Sequence, residues 1–524
     1  MSLIQVTDLT FAYEGSYDPV FEHVSFQLDT DWKLGFTGRN GRGKTTFLKL
    51  LMGKEEYSGK ISADVEFDYF PFQITDSGSD ALAVAYEIEP GLEYWQLIRE
   101  LSRLDIKEET LFRPFHTLSG GEQTKILLAV LFLKENHFLL IDEPTNHLDK
   151  EARRLVGDYL AGKRGFILVS HDRAFLDRCT DHTLAISKTQ ITVTRGNFST
   201  WYENKERQDH FEMEENARLR RDIKRLTASA RQAGGWADEI ESAKIGKKAA
   251  IKRETTGKLV SRDYVGEKSR RMQMRRKNLE RRQQRAIEEK EGLLKDVETV
   301  ETLKLFPGKI RSGGPVVRLK EFGLSFSDEG TEKGDGYRQI FDDFCLEVMP
   351  GEQIMLEGKN GCGKSSILKK IAGETETIKN AVFKGEFWVA PRLRISYVPQ
   401  DTSFLNGSLK EFVQQAEREE GIDESLFFAL LRKLDMPREQ FEKRLEHLSA
   451  GQRKKVLLAK SLCVQADLYL WDEPLNYIDI YSRMQIEEVI VKNRPTMILV
   501  EHDERFAKNI AARSVPVLYC SHKD

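Results

Sequence analysis

An internal repeat limits what this chain can fold into more than any other feature. Gly38-Arg39-Asn40-Gly41-Arg42-Gly43-Lys44-Thr45-Thr46 returns as Gly358-Lys359-Asn360-Gly361-Cys362-Gly363-Lys364-Ser365-Ser366. Leu118-Ser119-Gly120-Gly121-Glu122-Gln123 returns as Leu448-Ser449-Ala450-Gly451-Gln452-Arg453, and Leu139-Leu140-Ile141-Asp142-Glu143-Pro144 as Tyr469-Leu470-Trp471-Asp472-Glu473-Pro474. Val169-Ser170-His171-Asp172 returns as Val500-Glu501-His502-Asp503. The offsets, 320, 330, 330 and 331, keep their order, so a domain is duplicated and one loop of the second copy is longer. In each copy a strand-like segment precedes a Gly-rich turn and a helical pattern. Short apolar runs such as Phe138–Ile141 and Phe166–Val169 read as buried parallel strands. The expectation is an α/β chain with repeated domains at 1–200 and 315–524 and a different segment at 201–314.

The first repeated motif is a P-loop in its required context, after a strand and before a helix. Gly38, Gly41 and Gly43, with Gly358, Gly361 and Gly363, let consecutive backbone N–H groups curl around phosphate without a Cβ in the way. Lys44 and Lys364 are expected at the β/γ-phosphates, and the Thr45 and Ser365 hydroxyls on Mg²⁺. Asn40, Thr46, Asn360 and Ser366 complete the two loops. Asp142 and Asp472 end buried-looking strands, which suits carboxylates held beside Mg²⁺. Glu143 and Glu473 follow, placed to orient or deprotonate the attacking water. His171 and His502, each after a further apolar strand, are expected near the γ-phosphate.

The middle segment has a different character. Between Ala217 and Arg285 there are 22 Lys+Arg and 8 Asp+Glu, a surplus of +14, so the rest carries −17 under a total of −3. Leu219, Ile223, Leu226 and Ala230 keep a helical spacing, which Gly234-Gly235 is expected to stop. Met272, Leu279, Ala286, Leu293 and Val300 recur every seven residues. The pattern predicts an antiparallel two-helix hairpin with its tip near 246–266. Some thirty residues per helix would extend about 45 Å. Such a cationic arm should contact nucleic-acid phosphates. At the tip, Lys247, Lys248, Lys252, Arg253, Lys258 and Arg262 suit RNA backbone, and Leu259 and Tyr264 suit bases. No run approaches a membrane span, the N-terminal residues alternate like a strand, and five scattered cysteines form no CxxC pair. These features point to a cytoplasmic protein with reduced thiols.

These motifs in this order resemble the ATP-binding cassette (ABC) superfamily, with Leu118–Glu122 matching its signature sequence. The resemblance implies ATP and Mg²⁺ as ligands and two cassettes closed head-to-tail. One composite site would join Lys44, Thr45, Asp142, Glu143 and His171 to Ser449, Gly451 and Gln452. The other would join Lys364, Ser365, Asp472, Glu473 and His502 to Ser119, Gly120 and Gly121. Tyr13 and Phe326 stand where the family stacks an aromatic on adenine, and Gln73 and Gln400 where a glutamine meets Mg²⁺.

Two ABC-type P-loop ATPase cassettes joined by an α-helical hairpin linker resemble the ABC-F subfamily; within it, Gly38–Lys44, Gly451-Gln452-Arg453-Lys454-Lys455 and Trp471–Tyr477 resemble the Lsa-type antibiotic-resistance proteins. That likeness implies a monomer off the ribosome that binds the 70S ribosome at its exit-tRNA (E) site, meeting 23S rRNA and P-site tRNA. It implies protection against lincosamides, streptogramin A and pleuromutilins, with no DNA partner and no membrane subunit. A housekeeping translation factor is the alternative. An exporter ATPase fits less well, because it has no use for a cationic arm. Three departures stand out: Ala450 replaces a signature glycine, Phe72 displaces Gln73 by one residue, and Cys362, expected to point outward, sits inside a P-loop.

Overall fold

The computed structural model describes residues 2–15, 19–72, 78–146, 148–246, 303–308, 313–327, 337–374 and 380–518, with 74, 76, 378 and eight positions between 274 and 290. The chain forms two compact units, Met1–Trp201 together with Val300–Asp524, and Tyr202–Thr299.

In the first unit each copy of the repeat builds a mainly parallel sheet on the apolar runs read from the sequence. The first sheet runs in the order Glu66–Phe70, His137–Asp142, Phe166–Val169, Lys33–Thr37, His182–Ser187, Gln190–Arg195, with only the last pair antiparallel. The second runs Ile395–Val398, Leu468–Asp472, Met497–Val500, Gln353–Glu357, Arg513–Pro516, all parallel. Their central strands Phe166–Val169 and Met497–Val500 are buried at every residue, as strands covered by helices on both faces must be. Each copy adds a three-stranded antiparallel sheet, around Leu3–Phe11 and around Val317–Ser327.

Each P-loop leaves a strand of the mainly parallel sheet, Lys33–Thr37 or Gln353–Glu357, and leads into a helix. Gly43 and Gly363 take left-handed backbone, φ 96° and 94°, immediately before the helices Lys44–Leu51 and Lys364–Ala372. A Cβ on Gly43 would come within 2.5 Å of Val20, and one on Gly363 within 2.7 Å of Phe341, so any other residue would be both strained and obstructed. Cys362 does not point outward. It is fully buried in the apolar cluster that also holds Phe341, Leu356 and Ile367, where a small, weakly polar thiol packs well.

The second unit is entered by a helix that begins in the first, Phe198–Gly246, 49 residues long. It runs through Gly234-Gly235, against expectation. Glycine costs about 1 kcal/mol in a helix interior but keeps its N–H, so two of them weaken the ladder without breaking it. Lys290 reaches back to Asp222 at 2.8 Å, pairing the return segment with this helix. The tip residues Lys247, Lys248, Lys252, Arg253, Lys258, Leu259, Arg262 and Tyr264 lie outside the described residues.

Candidate active sites

Both P-loop lysines turn back onto their own loops. Lys44 Nζ donates to the carbonyls of Gly38 (2.6 Å) and Arg39 (3.2 Å), and Lys364 Nζ to those of Gly358 (2.7 Å) and Lys359 (2.9 Å). Each ammonium group therefore waits inside the cradle where phosphate oxygens would replace the carbonyls. Glu143 and Glu473 leave their strands with φ of 50° and 46°, a left-handed conformation rare for glutamate. Their N–H groups bond Val169 and Val500 on the neighbouring strand, both at 2.9 Å, which holds the strained turn in place. The strain recurs in both copies, as expected where a side chain must be aimed rather than relaxed. His171 Nε2 lies 3.4 Å from Glu143 Oε1, and His502 Nε2 lies 3.7 Å from Glu473 Oε1.

The two halves differ in how they treat their carboxylates. Asp142 accepts from Tyr69 (2.9 Å) and from Thr45 (3.2 Å). Asp472 is fully buried, and among the described residues neither oxygen accepts a hydrogen bond of ordinary geometry. Burial pushes its pKa up to about 6 against the pull of Ser365, Lys454 and Lys364. A buried, bare carboxylate is the donor a divalent cation requires, so Asp472 with Ser365 fits Mg²⁺. Burial and Asp142 push Glu143 up to about 8, partly offset by Arg483 and Lys44. Glu473 is also buried, but His502, Asn476 and Gln400 hold it below the usual carboxyl range. Gln400 Nε2 donates to it at 2.8 Å and Asn476 Nδ2 at 2.6 Å.

The halves also face each other. Asn40 Nδ2 of the first P-loop donates to the Tyr477 carbonyl at 3.2 Å, and a Cβ on Gly451 would come within 2.7 Å of that same oxygen. The turn at Tyr477 thus lies against both the first P-loop and the second signature. Across the other side, a cleft of about 1260 Å³ is lined by Ser119, Gly120 and Gly121 on one wall. Its opposite wall is Asn360, Gly361, Gly363, Lys364, Ser365 and Ser366, with Phe326, Gln400, Glu473 and His502 at its margins. Ion pairs Lys359–Glu151 (3.7 Å), Lys150–Glu357 (3.3 Å) and Arg505–Asp177 (3.2 Å) cross between the halves, as does the buried pair Arg173–Glu487.

Tyr13 is half exposed, and its hydroxyl shares a 2.6 Å hydrogen bond with Thr46. Gln452 closes a capping box with Ser449, as Glu122 does with Ser119, so both signatures open as helix N-termini. Gln73 lies outside the described residues. The sequence reading missed Tyr69, Asn476, Arg483 and Lys454, whose places follow from tertiary packing. Only Lys454 left a signal, a charge inside a helix that is otherwise apolar on that face.

Residues 21–146 and 341–476 each match the ABC transporter family profile. The chain is 26% identical over 509 residues to the ribosome protection protein VmlR of Bacillus subtilis, covering 96% of this chain and 84% of that protein. It is 26% identical over 572 residues to ABC transporter F family member 2 of Arabidopsis thaliana, covering 98% and 76%. Its fold is similar to that of the archaeal ribosome recycling factor aABCE1, with a TM-score of 0.61 at 17% identity over 97% of this chain and 87% of that one. The structure called RNase-L Inhibitor gives 0.57 at 19% identity, again over 97% and 87%.

Proposed function

The chain belongs to the ABC transporter family of ATPases, and we propose that it is a ribosome-binding member of the F type that protects the ribosome from antibiotics. As an ABC ATPase it hydrolyses ATP with Mg²⁺. Among the described residues no helix is long and apolar enough to cross a membrane. The observation that carries the proposal is the joining of two facing cassettes through a strongly cationic segment, in a chain alignable over 96% of its length with a ribosome protection protein.

In this reading the Lys44 and Lys364 ammonium groups leave their loop carbonyls to neutralise β/γ-phosphate charge. The signature N–H groups of the opposite half close on the same phosphates, so ATP cements the halves. Thr45 with Asp142, and Ser365 with Asp472 and Gln400, would hold the metal, with Gln73 as the first-site counterpart of Gln400. Held by these residues, Mg²⁺ would supply positive charge to neutralise the phosphates. Glu143 and Glu473 orient or deprotonate water, while His171 and His502 steady the terminal phosphate. Tyr13 and Phe326 stack on adenine. The ATP-closed form occupies the E site, and the arm carries its tip toward the peptidyl-transferase centre, beside 23S rRNA and P-site tRNA. There it dislodges lincosamides, streptogramin A and pleuromutilins. Between visits the protein is a cytoplasmic monomer.

The double variant Glu143→Gln, Glu473→Gln tests this directly. With ATP it should remain closed and sediment with 70S ribosomes, the bound fraction falling steeply as salt rises. Recovery in the soluble fraction at moderate salt would overturn the proposal. Equal identity to the Arabidopsis F-type member leaves a housekeeping translation role as the second reading. Expression in a susceptible host separates the two, because only the protection reading predicts raised tolerance to the three drug classes.

A further inference from the structure

A lysine buried in a protein interior is costly unless every donor is satisfied and its charge is compensated. Lys454 is only 2% exposed, on the helix Ala450–Cys463, five residues beyond Ser449. Its Nζ donates to the Pro399 carbonyl at 2.8 Å, to the Asp472 carbonyl at 3.0 Å and more weakly to the Gln400 carbonyl at 3.5 Å. All three acceptors are main chain. Two belong to the turn that carries the Gln400 side chain, and the third belongs to the strand end that carries Asp472. One ammonium group therefore ties together the two segments that present the second site's candidate metal ligands. Acidic neighbours Asp472, Glu473, Glu501 and Asp401 compensate its charge.

The first cassette does this differently. The position matching Lys454 is Thr124, buried and uncharged. There Asp142 is held through its own carboxylate, by Tyr69 and Thr45. In the second cassette neither the matching Tyr397 hydroxyl nor the Asp472 carboxylate has a hydrogen-bond partner among the described residues. Fixing the strand end from behind, through its carbonyl, leaves both carboxylate oxygens free to meet a cation in a defined position. Groups behind a metal's ligands commonly decide how well those ligands are aimed.

We propose that Lys454 is a positioning residue for the metal end of the second ATP site, holding Gln400 and Asp472 in register through their backbones. The inference rests on reading Asp472 and Gln400 as metal ligands, so its test includes a control for that reading. In a Lys44→Ala background, which confines nucleotide to the second site, a fluorescent non-hydrolysable ATP analogue is titrated with Mg²⁺ and again with EDTA. The quantity read is the factor by which Mg²⁺ strengthens binding. Lys454→Met should shrink that factor about tenfold while the EDTA affinity stays within about twofold, and Lys454→Arg should recover part of it. Equal weakening in both buffers would reduce Lys454 to a structural role and overturn the proposal. A factor unchanged in Lys454→Met but lost in Asp472→Asn would also overturn it, with the reading of Asp472 intact. A factor unchanged in Asp472→Asn as well would sink that reading and the proposal together. Should Lys454→Met not fold, Lys454→Arg carries the test alone. Its wider head cannot seat against all three carbonyls, so the factor should fall at least about threefold, and an unchanged factor would overturn the proposal.

Discussion

Glu100 illustrates how a single side chain is held by its surroundings. It is 1% exposed, accepts from the Tyr159 hydroxyl at 2.9 Å, and pairs with Lys163 and with Arg103 at 3.1 Å. Burial alone would raise its pKa, but Lys163, Tyr159 and Arg103 together hold it below the ordinary 4.5. A carboxyl with a depressed folded-state pKa adds stability above its unfolded pKa and loses it as pH falls through the folded value. Glu100→Gln should therefore cost about 2–3 kcal/mol at pH 7. The gap between variant and parent should hold down to about pH 5 and close below 4.5, as urea unfolding across pH would show. No gap at pH 7 would mean that desolvation cancels the pairing.

Among the elements, the helix Phe198–Gly246 invites the plainest intervention. Gly234→Ala with Gly235→Ala should stabilise it by about 1–2 kcal/mol, read as a higher melting temperature of helical circular dichroism. A lower one would mean that close backbone approach at these positions outweighs the propensity gain. This helix also marks where sequence reasoning stops. The P-loops, strand ends and histidines were legible because glycine conformation, apolar runs and spacing are local properties of the chain. Gly234-Gly235 was misread because a local penalty of this size yields to the length of helix on either side. Cys362 was misread because its burial depends on an apolar cluster assembled from strands and helices far apart in the chain. Asn40 against Tyr477 and Lys454 beneath Asp472 join residues far apart in the chain, and no periodicity announces them.

At the scale of the whole molecule, the two ATP sites share a plan but not a chemistry. The second combines a bare Asp472, a Glu473 kept ionised, and a facing signature with both glycines. The first combines an engaged Asp142, a Glu143 pushed up to about 8, and a signature bearing Ala450. Steady-state turnover should therefore fall about tenfold in Glu473→Gln and less than about twofold in Glu143→Gln. The reverse order would show that the first site carries the flux.

Duplication within one chain sets how such differences can arise. In a symmetric pair of identical cassettes, every substitution would enter both sites at once, and a lysine placed behind one metal-binding strand would stand behind the other as well. Here the two halves share one polypeptide yet are encoded separately, so Lys454 and Thr124 can coexist at matching positions. Covalent fusion thus converts a two-fold constraint into two independently adjustable catalytic centres, closing on each other in fixed one-to-one proportion at any protein concentration.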